Sequence, residues 1–236
     1  MGLNPPIIFY HKIDRPSPDA KVRGAFTSPL RFEKQLLFLK RQGYTFYTAT
    51  ELIRYYKSHG NWPVRGVAVT FDDGWKDNYT RAFPIMRRLE IRPTIFLVLS
   101  CIGRTTAQVT ADGEGPREHL SADNIREMAD FGVDFGSHSV DHQLLDRVSI
   151  EEVRREVVTS KALIESMTQS ECSVFAYPAG FFNDAVKAIV RDAGYEAAFS
   201  TVYGKDAGDL FELNRCEILR RDRVPFAFAR KITALG

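Results

Sequence analysis

The chain has 236 residues, enough for one α/β barrel domain and short for two ordinary ones. Its 32 Lys and Arg against 30 Asp and Glu leave a net charge of +2, without the concentrated basic surface that drives nucleic-acid binding, so nucleic acid is not an expected partner. Three scattered cysteines argue against a disulfide framework and a thiolate metal site, and no run approaches the roughly 18 apolar residues of a membrane span.

The opening Met1-Gly2-Leu3-Asn4-Pro5-Pro6 lacks a basic segment followed by an apolar one, so a secretory leader is either absent or already removed. Ile7 to Tyr10 reads as a buried strand of β-branched and aromatic residues. Ser28-Pro29 opens a helix bearing Phe32, Leu36, Leu37 and Leu39, with Gly43 placed to end it. A second helix starts at Thr50 and runs to about Lys57. Val67 to Phe71 is the next strand, running into Asp72-Asp73-Gly74. A helix over 78–89 and a strand over 94–99 follow, then a polar loop over 101–119 long enough for a lid or subsite wall. Ser121 starts a helix whose capping box lacks Glu, having Asn124 instead. Val133 to Ser137 is a strand, and Ser149 to Met167 a long helix with Glu152 positioned to complete its capping box. The chain continues through a strand at 174–177, a helix at 183–193 closed by Gly194, and a strand at 197–200. Repeated strand–helix units imply a parallel sheet covered by helices, and at this length a barrel in a single domain spanning 1–236. No glycine-rich phosphate fingerprint follows the first strand.

Parallel barrels build their sites at the carboxyl ends of the strands. Those ends carry His11, Asp72-Asp73, His138 through His142, and Tyr177-Pro178-Ala179-Gly180. Adjacent carboxylates repel unless a cation neutralises them or they do different jobs, though an Asp-Gly pair also makes an ordinary surface turn. His138 and His142 can reach one ion from a single turn. Together with Asp73 they supply two imidazoles and a carboxylate, the composition of an open catalytic metal site.

Three ordered runs, Thr70-Phe71-Asp72-Asp73-Gly74, His138-Ser139-Val140-Asp141-His142 and Phe175-Ala176-Tyr177-Pro178-Ala179-Gly180, resemble the motifs of the polysaccharide deacetylases, the NodB-like proteins of carbohydrate esterase family 4. The Tyr10-His11 pair resembles the circularly permuted branch that includes deacetylases of poly-β-1,6-N-acetylglucosamine. The resemblance implies a distorted (β/α)7 barrel acting on an N-acetylated glycan, with oligomeric state left open. It implies that Asp73, His138 and His142 hold a divalent metal, zinc first, with cobalt or nickel as alternatives. Asp72 becomes the general base, and the backbone of Ala179, beside Tyr177, contacts the oxyanion and substrate.

Two departures from the family pattern matter. Ala176 and Ala179 stand where many members have arginine and tyrosine, and no histidine follows His142. His11 is therefore the expected general acid, and Arg215 the expected source of a positive charge beside Asp72. Trp75 is a candidate platform for a sugar ring, and Leu213 a candidate wall for the acetyl methyl group. Two other readings stand beside deacetylation: a cyclic imide or ureide hydrolase of the same fold, and a non-catalytic carbohydrate-binding protein.

Overall fold

A computed structural model describes residues 5–16, 18, 20, 23–106, 115–204 and 208–233. The elements in chain order are β1 (Ile7–Tyr10), α1 (Pro29–Arg41), β2 (Thr45–Tyr47), α2 (Ala49–His59), β3 (Gly66–Phe71), α3 (Phe83–Arg88) and β4 (Thr94–Leu97). There follow β5 (Thr105–Thr106), β6 (Arg117–Glu118), α4 (Ala122–Asp130), β7 (Asp134–Ser137), α5 (Ile150–Thr168), β8 (Val174–Ala176), α6 (Asp184–Asp192), β9 (Ala197–Phe199), β10 (Cys216–Glu217) and α7 (Phe226–Thr233). The main sheet runs β10-β1-β3-β4-β7-β8-β9, every pairing parallel, with β2 added beside the start of β3. Leu213 bridges in parallel to Phe199 of β9 just before the chain enters β10, which brings the last strand back toward the first. The architecture is the distorted (β/α)7 barrel.

Strand parity separates two cores, because successive side chains point to opposite faces. Ile7, Ala68, Phe96, Val174, Ala176 and Phe199 pack in one cluster, which helix α2 joins through Leu52 and Ile53. Their neighbours Ile8, Val69, Ile95, Leu97, Phe175 and Tyr177 belong to the larger cluster formed with the other helices. The inner layer is tight at Gly136, where a Cβ would stand 2.5 Å from the Phe96 ring.

Several local details differ from the sequence expectation. The helix expected over 78–89 opens with a wide turn over Asn78–Ala82, in which the N–H of Phe83 reaches back to Asn78 O, before α3 begins. Pro84 lacks the N–H that would continue an ordinary ladder there. Asn124 does complete the capping box at Ser121, its side chain accepting from the Ser121 N–H at 3.2 Å. At α5 only half a box forms: Ser149 Oγ accepts from the Glu152 N–H, while the Glu152 carboxylate is engaged by Arg155 and Gln143. The strands β2 and β10 and helix α7 were not expected, and the 101–119 loop contains the β5–β6 ladder, with residues 107–114 outside the described set.

Candidate active site

The turn after β3 places both carboxylates. Asp73 and Gly74 adopt left-handed backbone, φ 72° and 67°, and a Cβ on Gly74 would lie 2.9 Å from Leu97 Cδ2. Glycine is therefore required there. Asp73 Oδ1 lies 3.7 Å from Nε2 of both His138 and His142. Ligand atoms of these three residues all fall within 4.8 Å of one another, the one such group among the described residues.

Does this donor set suit a metal? Tetrahedral zinc with bonds of about 2.0–2.1 Å sets its ligand atoms roughly 3.3 Å apart; Asp73 stands a few tenths of an ångström beyond that from each histidine, and the whole group, within 4.8 Å, converges on one ion by side-chain adjustment. His138 Nδ1 lies 2.7 Å from the carbonyl oxygen of Ala176, a contact that only a protonated Nδ1 satisfies, leaving the Nε2 lone pair for a ligand. Burial, outweighing the nearby Asp72 and Asp73 charges, pushes the His138 imidazole down to about 4, so it is neutral at pH 7. Asp73 is oriented as well, its Oδ2 accepting from Trp75 Nε1 at 3.0 Å, which leaves Oδ1 toward the histidines. The residues present fit a divalent cation, three protein donors leaving a tetrahedral position over.

Asp72 is held by a different device. It is 1% exposed, and Arg215, equally buried, donates to it through both arms of its guanidinium, Nη1 to Oδ1 at 2.7 Å and Nη2 to Oδ2 at 2.8 Å. The same guanidinium donates from Nε to Ser200 O and stacks between the rings of Phe9 and Phe96, 4.3 and 5.3 Å from their centroids. Burial alone would raise the Asp72 pKa; Arg215, with His138 and His11 assisting, outweighs it and brings the carboxyl down to about 2. Arginine thus reaches Asp72 from the β10 side, while Ala176 leaves the β8 side small.

His11 stands at the end of β1, a quarter exposed, with Nδ1 3.7 Å from Glu217 Oε1 on β10. Ala179 lies exposed beyond β8 in left-handed backbone, φ 54°. Leu213 is buried in the inner cluster beside Ala176 and Phe199.

Two expectations are corrected. Trp75 is fully buried and stacks on His119 at 4.2 Å, so its ring has no open face for a sugar; its contribution is the hydrogen bond to Asp73. Tyr177 shares the outward parity of Phe175, donates its hydroxyl to Phe211 O at 3.0 Å and spends its N–H on Phe199 O. It therefore has no group free for substrate. The sequence reading gave His119 no role, yet it bridges to Trp75 across the chain and places Nδ1 3.1 Å from Asp73 O. No sequence signal marks it, because the contact exists only once the segment after β6 lies against the turn after β3. His59 is remote, stacked on Tyr55 at the end of α2.

The Asp-His-His group and the arginine-bound Asp72 thus stand together on the carboxyl rim of an α/β barrel. The family model for polysaccharide deacetylases matches residues 59–198, and the chain belongs to that family. It is 26% identical to YxkH of Bacillus subtilis strain 168 over 90% of this chain and 71% of that protein. It is also 26% identical to the poly-β-1,6-N-acetyl-D-glucosamine N-deacetylase of Staphylococcus aureus over 78% of this chain, spanning 64% of that relative's length. Among solved structures it is similar to the Streptococcus pyogenes deacetylase PplD in complex with acetate, with TM-score 0.82, 26% identity and 97% of each chain covered.

Proposed function

We propose that this protein is a metal-dependent hydrolase, a single catalytic domain over 1–236, that removes N-acetyl groups from an amino sugar in a polysaccharide or glycolipid. The observation that carries this reading is the division of labour between neighbouring carboxylates: Asp73 faces two imidazoles while Asp72 is gripped by Arg215. Family membership and the similarity to poly-N-acetylglucosamine and other deacetylases support it.

Asp73, His138 and His142 would hold the divalent ion, with zinc favoured over cobalt or nickel; once bound, it supplies Lewis acidity to the amide carbonyl and acidifies the attacking water. Asp72, ionised and fixed by Arg215, takes a proton from that water as the oxygen adds to the acetyl carbon. The Ala179 N–H donates to the oxyanion as charge develops there. His11, turned by Glu217, gives a proton to the departing sugar nitrogen; the C–N bond breaks, and acetate and a free amine are released.

Leu213 would close the acetyl end from the inner cluster. The imide-hydrolase reading drew on the missing third-motif arginine, and Arg215 supplies an arginine at the same carboxylate. Acetate release from N-acetylglucosamine oligomers tests the proposal, using chelated protein and protein given back zinc, cobalt or nickel. Release that stops on chelation and returns with metal supports it; turnover of cyclic imides without any acetate from oligomers would replace it.

A further inference from the structure

Helix α5 carries one carboxylate on its buried stripe of Val153, Glu156, Val157, Ser160 and Ile164. Glu156 is fully buried, and a charge enclosed in this way needs partners. Its Oε2 accepts from two consecutive backbone N–H groups, Val140 at 2.9 Å and Asp141 at 2.8 Å. Its Oε1 accepts from Arg155 at 2.7 Å, and the same arginine donates to Asp141 Oδ2 at 2.9 Å. The gripped residues are the link between His138 and His142.

That link is held in an unfavourable shape. Ser139 and His142 both adopt left-handed backbone, φ 67° and 56°, a region L residues enter only when their surroundings hold them there. Short side chains help: Ser137 Oγ accepts from the Ser139 N–H at 3.1 Å, and Ser139 Oγ from the His142 N–H at 3.0 Å. Ser137 is the last residue of β7 and its Oγ donates to Ser160 Oγ on α5 at 2.7 Å, while the Leu99 and Ser100 N–H groups donate to Ser139 O and Val140 O, so the first half of the loop is anchored as well. Glu156 acts on the second half: it ties the two amides immediately before His142 to α5 at once, which bears directly on where the His142 ring stands relative to Asp73 and His138.

We infer that Glu156 is a positioning residue for the metal centre: by clamping the Val140 and Asp141 amides it sets the approach of His142 and so the affinity of the site for its ion. The inference rests on reading Asp73, His138 and His142 as metal ligands. A carboxylate that only satisfied two half-buried amides would matter for stability and leave the affinity of the folded protein unchanged.

The test uses the full chain with Glu156→Ala, Glu156→Asp and Glu156→Gln. Zinc affinity is read by competition with a chromophoric chelator, the cobalt ligand-field spectrum reports geometry, and thermal melting of chelated protein reports stability. Glu156→Ala is expected to weaken zinc binding about 10- to 100-fold and alter the cobalt spectrum, as loss of a group that orients a ligand does. Glu156→Asp, which draws the acceptor back by one methylene, should fall between. Glu156→Gln keeps an oxygen for both amides and should bind zinc within about threefold of the unaltered chain, although it melts lower for want of the Arg155 ion pair. Unchanged zinc affinity and cobalt spectrum in Glu156→Ala would overturn the inference; if that variant does not fold, the same result in Glu156→Asp would do so. An unaltered chain that takes up neither metal would overturn the metal reading itself, which is a separate failure.

Discussion

Two buried aspartates five residues apart, Asp72 and Asp77, each face an arginine and are driven in opposite directions. At Asp72 the arginine is itself buried and donates to both carboxylate oxygens, and the pKa falls to about 2 despite burial. At Asp77 burial dominates: the Ile13 N–H donates at 2.7 Å, but Arg117 stands at 3.4 Å with a fifth of its side chain in solvent, and the pKa rises to about 6. A cation therefore inverts the effect of burial only when it is enclosed with the carboxylate and aligned to it. The first arrangement yields a group at the rim that is ionised at neutral pH; the second yields a carboxyl that ties the turn after β1 to the segment following Trp75.

The sharpest way to break this comparison is to remove the aligned cation. Arg215→Met leaves Asp72 charged and buried without a partner, and we expect a loss of about 3–5 kcal/mol in urea unfolding of the chelated protein. Arg215→Met with Asp72→Asn should recover most of that loss, because the stranded charge is gone. On the open side of the rim, His11→Gln should lower the deacetylation rate about 10²-fold or more with zinc affinity unchanged. A loss of zinc with the rate would place His11 among the ligands instead.

The pH dependence separates the two aspartates by sign. The folded pKa of Asp72 lies below its ordinary 3.8, so its contribution to stability is present above that value and is lost as pH falls toward 2. The folded pKa of Asp77 lies above 3.8, so the folded chain holds the extra proton between about pH 4 and 6, and stability falls as pH rises through that window. At about 1.4 kcal/mol per pKa unit the fall amounts to no more than about 3 kcal/mol. Asp77→Asn should remove it, which denaturant midpoints at pH 4, 5, 6 and 7 would show. A smaller effect is expected at Trp75→Phe, which keeps the stack on His119 and loses the N–H to Asp73; zinc affinity should weaken about tenfold with little change in melting temperature.

How much of this was legible in the sequence follows from where each signal resides. The runs at 7–10, 67–71, 94–99 and 174–177 declared the main strands because both faces of the strands they contain are covered. β10 escaped notice because it is two residues long, Cys216–Glu217, and gains its identity only by pairing with β1. The site residues readable from sequence lie within contiguous motifs, Asp72-Asp73 and His138 to His142, whose spacing already carries the geometry. Arg215 could be named only through the resemblance, whose third-motif arginine is Ala176 here, and its two-armed contact with Asp72 is what that expectation asked for. Trp75 and Tyr177 were misplaced because residue type suggests sugar contact, whereas burial and strand parity decide where the ring goes. Glu156 did leave a signal, a carboxylate on an apolar helical stripe, while His119 left none.

The most direct test of the division between base and ligands compares Asp72→Asn with His138→Ala, measuring bound zinc and acetate release on the same preparations. The account predicts that Asp72→Asn retains zinc and loses about 10² to 10⁴-fold in rate, and that His138→Ala loses both. Equal loss of zinc in the two variants would contradict the assignment of Asp72 as base and Asp73, His138 and His142 as ligands.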